Sequence, residues 1–308
     1  MKSLLHLMLA LFILQGCSSH WTDSPEVGQL FNSAGVTGTF VLYDVESDRL
    51  VGHNQSRSKT RFIPASTFKI PNSLIGLSVE AVMSVDDVLP YGGQSQPFDA
   101  WEKDMGLREA IPLSNVPIYQ ELARRIGLER MREYVSKLDY GNQDIGMTVD
   151  NFWLKGPLKI SAVEQAQFLA KLARSRLPVS ANVQDSVREI VFLEQRENWE
   201  LYGKTGWENV PDPGVGWWVG WVQKEGRVYA FALNMDIQQA SDARKRVELG
   251  KASLEALGVL LEIIGLTRPS TRTHFSFAAL TTNAPVTAGV RQHETRKNHA
   301  NTGRAIAS

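Results

Sequence analysis

A serine and a lysine three residues apart, Ser66 and Lys69, are the first side chains whose types and spacing could do chemistry. On a helix, residues three apart share a face, so the hydroxyl and the amine lie within reach of each other. Serine is a poor nucleophile without an adjacent base, and lysine can be that base only if it is neutral or converted to another group. Burial lowers the pKa of a lysine, and the apolar neighbours favour burial; they are Phe62, Ile63, Phe68, Ile70, Leu74 and Leu77.

A second motif, Lys204-Thr205-Gly206, falls in a region rich in strand-forming residues. The lysine and the threonine supply a cation and a hydroxyl group that can bind a carboxylate. The glycine permits close approach of another backbone. Each motif alone is common in unrelated chains, where it marks an ordinary helix or a strand-edge turn. The two in this order on one chain are much more specific than either alone.

The order of the predicted strands and helices that must position these motifs indicates an α+β fold. Strands over 38–45 and 49–53 form a hairpin, and strands over 199–203, 216–223 and 227–235 follow a helical middle. This order predicts a central antiparallel sheet built from both ends of the chain, flanked by helices, with an inserted helical lobe. The predicted helices cover 66–79, 114–126, 128–138, 161–172 and 245–264.

Composition excludes several classes of site. The chain of 308 residues contains one cysteine, which excludes an intrachain disulfide framework and a cysteine-based zinc site. The net charge of zero gives no indication of a nucleic-acid partner. The sequence has no metal-binding spacing, phosphate loop or dinucleotide fingerprint. We therefore expect neither a metal nor an organic cofactor.

The neutral charge is an average over two unlike parts. Residues 267–308 carry six basic and one acidic side chain, so residues 1–266 carry 27 basic and 32 acidic ones, a net charge of −5. The segment 267–308 is rich in Thr, Ala, Asn and Arg and has no apolar period. We predict that it is a flexible basic extension without a catalytic role. The folded catalytic domain is then expected over 20–266.

The N-terminus predicts an export signal over 1–17. Lys2 precedes an apolar run over 4–14 that is too short to span a bilayer. Leu14, three residues before Cys17, gives the segment the form of a bacterial lipoprotein signal, although Gln15 is unusual there. An ordinary export signal is the alternative. We expect a periplasmic protein with no transmembrane helix in the mature chain, and a lipid anchor at Cys17 is left open.

Several ordered motifs resemble those of the class D, oxacillinase-type, serine β-lactamases, which are penicillin-recognising serine enzymes. The triplet beginning at Ser114 has the form S-x-V rather than the S-D-N of class A enzymes. The likeness covers roughly 38–266 and implies a β-lactamase/transpeptidase-like fold. The motifs that carry it are Pro64-Ala-Ser-Thr-Phe-Lys69, Ser114-Asn-Val116, Tyr140-Gly-Asn142, Trp153-Leu-Lys-Gly156, Lys204-Thr-Gly206 and Gly216-Trp-Trp-Val-Gly-Trp221.

The resemblance implies four catalytic roles. Ser66 would be acylated by the β-lactam carbonyl, with Lys69, N-carboxylated by CO2, as the general base for acylation and for hydrolysis of the acyl-enzyme. The indole N–H of Trp153 would hold the carbamate. Ser114 would relay a proton to the β-lactam nitrogen. Tyr140-Gly-Asn142 is expected only to shape a turn.

The resemblance also implies a substrate-binding set. Lys204, Thr205 and an arginine of the last helix would bind the substrate carboxylate; that arginine is Arg246, with Arg244 as the fallback. The backbone N–H groups of Ser66 and Trp207 would form the oxyanion hole. The remaining members are Gly206 beside the substrate, Val116 at the carbamate pocket, and Trp101 and Leu154 along the cleft. For the last two, a packing role is favoured over a role in the chemistry.

Three functions remain to be separated. The leading hypothesis is hydrolysis of penicillin-type β-lactams by an exported enzyme, which confers antibiotic resistance. A penicillin sensor that stays acylated shares these motifs, but such sensors normally follow several membrane spans. A D,D-peptidase or transpeptidase shares Ser-x-x-Lys and Lys-Thr-Gly, but Trp153 and the S-x-V triplet argue against it. The partner expected in each case is a small molecule or a peptide, not a nucleic acid.

Overall fold

A sheet of seven strands lies at the centre of the structure, a computed structural model that describes residues 20–208 and 212–261. The strand order is β1-β3-β2-β7-β6-β5-β4, and all neighbours are antiparallel except β1 and β3, which are parallel. The strands are β1 His20–Asp23, β2 Gly38–Asp44, β3 Arg49–His53, β4 Phe192–Gln195, β5 Trp199–Glu208, β6 Gly214–Lys224 and β7 Arg227–Ile237.

Helices cover both faces of this sheet. One buried cluster joins the sheet to α3, α5 and α8, and a second joins its other face to α1 and α10. The helices are α1 Pro25–Ser33, α2 Gln55–Lys59, α3 Lys69–Ser78, α4 Leu107–Ala110, α5 Val116–Ile126, α6 Leu128–Lys137, α7 Phe152–Lys155, α8 Ala162–Ala173, α9 Ala181–Ile190 and α10 Lys245–Ala256. Eight of them lie between β3 and β4 in the chain, so the predicted α+β architecture with an inserted helical lobe is confirmed.

Local sequence explains the best-predicted boundaries. Glu225 and Gly226 both have positive φ, 51° and 78°, which suits the two-residue turn that joins β6 to β7. Ser161 and Glu164 form the predicted capping box, with the Glu164 N–H donating to Ser161 Oγ at 3.2 Å. Gly127, with φ of 80°, separates α5 from α6.

Several expectations about elements were wrong. The helix expected over 66–79 begins with a 3-10 turn, Ala65–Phe68, and the one expected over 245–264 ends at Ala256 because Gly258 takes a φ of 74°. The strand expected over 199–203 continues to Glu208 and so contains the whole Lys-Thr-Gly motif. The sequence patterns did not predict β1, β4 or the helices α1, α2, α4, α7 and α9, and no parallel strand pair was expected.

Replacing Gly250 with alanine is expected to lower the free energy of unfolding by roughly 1–3 kcal/mol. A Cβ atom there would lie 2.1 Å from Cε3 of Trp218, where α10 packs on β6. The clash outweighs the gain in helix propensity, which is about 1 kcal/mol. Urea denaturation measures the effect, with Glu255→Ala, an exposed position on the same helix, as the control. An unchanged or raised stability would contradict the packing of α10.

The two predicted terminal segments stay predictions. The segments 1–17 and 267–308, which carry the predicted export signal and basic extension, lie outside the described residues. Within 20–208 and 212–261, no helix is long and apolar enough to cross a bilayer. The same residues contain no cluster of His, Cys, Asp or Glu side chains suited to binding a metal ion.

Candidate active site

Ser66 and Lys69 lie at the junction of the 3-10 turn and α3. The Lys69 Nζ donates to Ser66 Oγ at 3.0 Å, so the spacing read from the sequence produces a direct contact. Ser66 is half-buried, whereas Lys69 is 0% exposed. Ala65, immediately before the serine, has a φ of 48°, a conformation that non-glycine residues adopt rarely and that is typical of functional turns.

The charge state of Lys69 depends on its surroundings. Burial holds the pKa of Lys69 well below its usual range, and the positive charge of Lys204 lowers it further. A buried ammonium loses its hydration, and a nearby cation adds repulsion, so both effects favour the neutral amine. A neutral amine 3.0 Å from a serine hydroxyl can accept its proton.

Trp153 lies on α7, buried against the same turn. Its indole is 0% exposed and stacks on Phe68, with ring centroids 5.5 Å apart. Its Nε1 is buried and donates to no described atom. A buried donor without an acceptor costs free energy, so this N–H is suited to a ligand or modification that supplies an oxygen.

Ser114 and Lys204 meet across the cleft, although they are 90 positions apart in the chain. Ser114 has a φ of 52°, and Asn115 follows as the cap of α5, its Oδ1 accepting from the Ile118 N–H at 3.1 Å. Lys204 Nζ donates to Ser114 Oγ and, at 2.9 Å, to the Thr205 carbonyl. The hydrogen bond between Lys204 and Ser114 therefore joins the sheet to the helical lobe at the site.

Lys204 is also a buried cation, with 5% of its surface exposed. Burial lowers its pKa to about 7, and Arg246 adds repulsion. A serine hydroxyl in contact with an amine that titrates near neutrality can pass a proton.

The strand β5 places the Lys-Thr-Gly motif against the nucleophile. A Cβ at Gly206 would lie 2.9 Å from the Pro64 carbonyl oxygen, so the strand and the 3-10 turn approach as closely as glycine permits. The Trp217 Nε1 donates to the Ile63 carbonyl at 2.9 Å and fixes the chain before the turn. Side chains alternate along a strand, so the Thr205 side chain leaves β5 on the face opposite to that of Lys204. The Lys204 Nζ nevertheless comes within 3.4 Å of the Thr205 hydroxyl oxygen.

Arg246 and Arg244 have different environments. Arg246 Nη1 donates to the Gly206 carbonyl at 3.0 Å, and its Nε is buried without a partner among the described atoms. Burial lowers the pKa of Arg246 to about 10, so it stays a cation at neutral pH. Arg244 is exposed at the start of α10. The structure thus brings Arg246, not the fallback, to the motif.

The remaining predicted residues lie on the elements that carry the site or next to them. Trp101 is half-buried, donates from Nε1 to the Leu113 carbonyl at 3.0 Å and packs on Phe98 at 4.9 Å. Trp207 is 39% exposed at the end of β5. Val116 begins α5 directly after the Ser114 loop and Leu154 follows Trp153 on α7, and both are half-buried.

The Tyr140-Gly-Asn142 segment is a structural support. Gly141 has a φ of 60°, and a Cβ there would lie 2.2 Å from the Lys159 carbonyl oxygen. Asn142 Oδ1 accepts from the Lys159 N–H at 2.9 Å. Tyr140 donates to Gln165 at 3.3 Å, and Gln165 donates to the Thr67 hydroxyl at 2.8 Å, beside the nucleophile. The sequence analysis missed Gln165 and Thr67 because their contact joins positions 98 apart.

Comparison with known proteins first defines the class of domain. The model of the penicillin binding protein transpeptidase domain matches residues 38–255. This span contains the nucleophile, the buried lysine, the Ser114 loop and β5. The chain therefore carries a domain of the penicillin-binding transpeptidase type.

Individual relatives define the family within that class. OXA-5 β-lactamase of Pseudomonas aeruginosa is 38% identical over 259 residues, which cover 83% of this chain and 97% of OXA-5. OXA-48 β-lactamase of Klebsiella pneumoniae is 36% identical, over 82% of this chain and 96% of OXA-48. The crystal structure of FUS-1 (OXA-85), a class D β-lactamase from Fusobacterium nucleatum subsp. polymorphum, matches with a TM-score of 0.75 and 42% identity, over 78% of this chain and 100% of FUS-1. The chain belongs to the class D serine β-lactamases.

Proposed function

We propose that this protein hydrolyses the amide bond of penicillin-type β-lactams through an acyl-enzyme on Ser66 and thereby confers antibiotic resistance. The observation that carries the proposal is the 3.0 Å contact between Ser66 Oγ and a fully buried Lys69 Nζ. The similarity to named β-lactamases supports the substrate class. The proposed acylation begins when Lys69 takes the Ser66 proton and the oxygen attacks the β-lactam carbonyl.

The surrounding residues have distinct proposed tasks. The N–H groups of Ser66 and Trp207 stabilise the oxyanion. Ser114, in contact with Lys204, passes a proton to the nitrogen as the ring opens. Thr205 and Arg246, beside Gly206, bind the substrate carboxylate. Val116, Trp101 and Leu154 border the cleft.

We further propose that Lys69 acts in its N-carboxylated form. Only a neutral amine reacts with CO2, and the burial of Lys69 favours that state. The unpartnered indole N–H of Trp153 fits the anion that would result. When CO2 is bound, Lys69 presents a carboxylate base that can take the proton of the serine and later that of a hydrolytic water.

Turnover of penicillins and of a chromogenic β-lactam tests the function. We expect many equivalents of product per equivalent of protein, and none above background for Ser66→Ala. Release of a single equivalent, with a long-lived acyl-protein in the mass spectrum, would identify a sensor instead. Cleavage of D-Ala-D-Ala peptides without β-lactam turnover would identify a peptidase.

Bicarbonate tests the form of the base. Activity lost by CO2 depletion is expected to return on addition of bicarbonate, and a 13C signal from labelled bicarbonate is expected on the wild type but not on Lys69→Ala. Full activity in CO2-free buffer would leave Lys69 as an unmodified base and remove the carboxylation proposal.

Arg246→Ala is expected to raise KM for penicillins about 10–100-fold with a smaller change in kcat. The reason is the loss of a charge-assisted hydrogen bond to the substrate carboxylate. Arg244→Ala is the matched control, since it removes the same side chain two residues earlier from an exposed position. Steady-state kinetics of both variants measure the difference; equal effects would contradict the assignment.

We also propose that the protein is exported to the periplasm, with Cys17 as a lipid attachment site or part of a cleaved signal. Cell fractionation of the full chain tests export. Radiolabelled palmitate incorporation that is lost in Cys17→Ser would establish lipidation, and absence of label in the wild type would leave an ordinary export signal.

A further inference from the structure

Tyr119 on α5 is a fully buried residue that the proposed mechanism does not use. The Lys69 Nζ lies over its ring, 5.1 Å from the centroid. This distance is within the range in which an ammonium is attracted to the negative face of an aromatic ring. The ring of Tyr119, which α5 carries, therefore presents its face to the buried amine of Lys69.

Hydrogen bonds fix the Tyr119 ring in that place. The Ser73 hydroxyl donates to the Lys69 carbonyl at 2.8 Å, and a serine has only one proton to donate. The Tyr119 hydroxyl must therefore donate to Ser73 Oγ, at 2.9 Å. Asn72 Nδ2 donates to the Tyr119 carbonyl at 3.2 Å. Asn72 and Ser73 are both fully buried on α3, so the helix that carries Lys69 also positions the ring.

The phenol itself does not exchange protons at working pH. Burial raises the pKa of Tyr119, and its hydroxyl proton is committed to Ser73. Its effect on Lys69 must therefore come from the ring face and not from acid or base chemistry. Tyr119 contacts the base and is itself 0% exposed, which is the position of a residue that acts through another.

We propose that Tyr119 is a positioning residue that holds Lys69 in place and favours its ammonium form, so that it sets how readily the lysine gives up its proton. The inference rests on the proposed function of Lys69 as the base. The ring face opposes two influences that favour the neutral amine, burial and the charge of Lys204. The charged side chains of α5, α6 and α9, the helices that pack on α3, are exposed or half-exposed. Lys204 is the charged group whose repulsion acts on Lys69.

The ring face has opposite effects on the two forms of the lysine. It attracts the ammonium and is unfavourable to an anion placed over it, because the quadrupole of an aromatic ring is negative at its face. Removal of the ring is therefore expected to release the amine proton more easily and to make CO2 bind at lower bicarbonate. Loss of the hydroxyl alone leaves the face, and with it most of the effect.

The titration of Lys69 in CO2-free buffer tests this inference directly. Protein labelled with 13C at lysine Cε is titrated by NMR, and the Lys69→Met spectrum assigns the signal. We expect Tyr119→Leu to lower the titration midpoint by about one pH unit, a tenfold loss of proton affinity. Tyr119→Phe, the matched control that keeps the ring, is expected to stay within about twofold. A midpoint that is unchanged or raised in Tyr119→Leu, or lowered equally in Tyr119→Phe, would overturn the proposal.

A second variant keeps the test valid if Tyr119→Leu does not fold. Pentafluorophenylalanine at position 119 has nearly the shape of phenylalanine but a reversed ring quadrupole. Compared with Tyr119→Phe, it is expected to lower the Lys69 midpoint by at least tenfold in proton affinity. Equal midpoints for the two would overturn the role of the ring face.

Bicarbonate titration separates this inference from the proposed carboxylation. If Lys69 carries CO2, half-maximal activity is expected at about tenfold lower bicarbonate in the fluorinated variant than in Tyr119→Phe. If the wild type takes up no CO2 but the midpoints still differ, Tyr119 acts as proposed and only the carboxylated base is wrong. If the wild type takes up CO2 and the midpoints agree, carboxylation stands and the role of Tyr119 is wrong.

Discussion

Replacing Lys69 with methionine is expected to lower kcat/KM for penicillins by about 10⁴-fold or more, because removal of one member of a nucleophile and base pair removes nearly all of their joint effect. Lys69 is the base within 3.0 Å of Ser66 Oγ, and methionine has no group that can take the proton. Single-turnover kinetics and acyl-protein mass measure the loss. Activity within tenfold of the wild type would show that another residue is the base.

In CO2-free buffer, where Lys69 is an unmodified amine, the same substitution is expected to raise the melting temperature. In the unfolded chain Lys69 is protonated up to about pH 10.4, whereas burial lowers its pKa in the folded protein. Below the folded pKa the cost of a buried ammonium is fully present, and it is relieved as pH rises toward the unfolded pKa. Lys69→Met removes this cost and its pH dependence. A lower melting temperature at pH 7 would contradict the burial argument, and calorimetry at pH 6 and 9 measures both effects.

Lys204→Met is expected to combine a large loss of activity with a gain in stability. We expect kcat/KM to fall about 10³-fold, since the cation that contacts Ser114 and Thr205 is lost. The folded pKa of about 7, against about 10.4 when unfolded, corresponds to a cost of about 4 kcal/mol near pH 7. The lost hydrogen bonds offset about 1–2 kcal/mol of the gain. The net gain in the free energy of unfolding is then about 2–3 kcal/mol.

Chemical denaturation at two pH values checks this prediction. The cost of Lys204 is relieved as pH rises from about 7 toward the unfolded pKa, so the advantage of Lys204→Met is expected to shrink between pH 7 and pH 9.5. Lys171→Met, on the exposed face of α8, is the control and should change stability little at either pH. A constant advantage over this range would mean that the amine is not the source of the gain.

Local features of the site could be read from the sequence. Ser66 and Lys69 are three positions apart at the start of a helix, so backbone geometry alone brings them together. The capping box at Ser161 and the turn at Gly226 were predicted for the same reason, since their interactions span only a few residues. The resemblance to a family added the residues whose contacts join distant parts of the chain.

Long-range contacts explain what sequence reasoning missed. Tyr119 is 50 positions from Lys69, and no local pattern in the sequence links the two residues. The strand β1 has only four residues and depends on its pairing with β3, so tertiary contacts decide it and not its own composition. The helix α10 ends early because of Gly258. The apolar residues that recur at helical spacing over 245–264 predicted a longer helix and concealed this local signal.

The alternation of Lys204 and Thr205 across β5 has a consequence for how such enzymes can diverge. Lys204 reaches Ser114 on the side of the helical lobe, whereas Thr205 pairs with Trp218, the residue on which α10 packs on the other side of the sheet. An insertion or deletion of one residue within 199–208 would exchange these two faces and dismantle both halves of the site at once. Substitutions along this strand can be sampled one at a time, whereas changes in chain length are tolerable only beyond its paired residues.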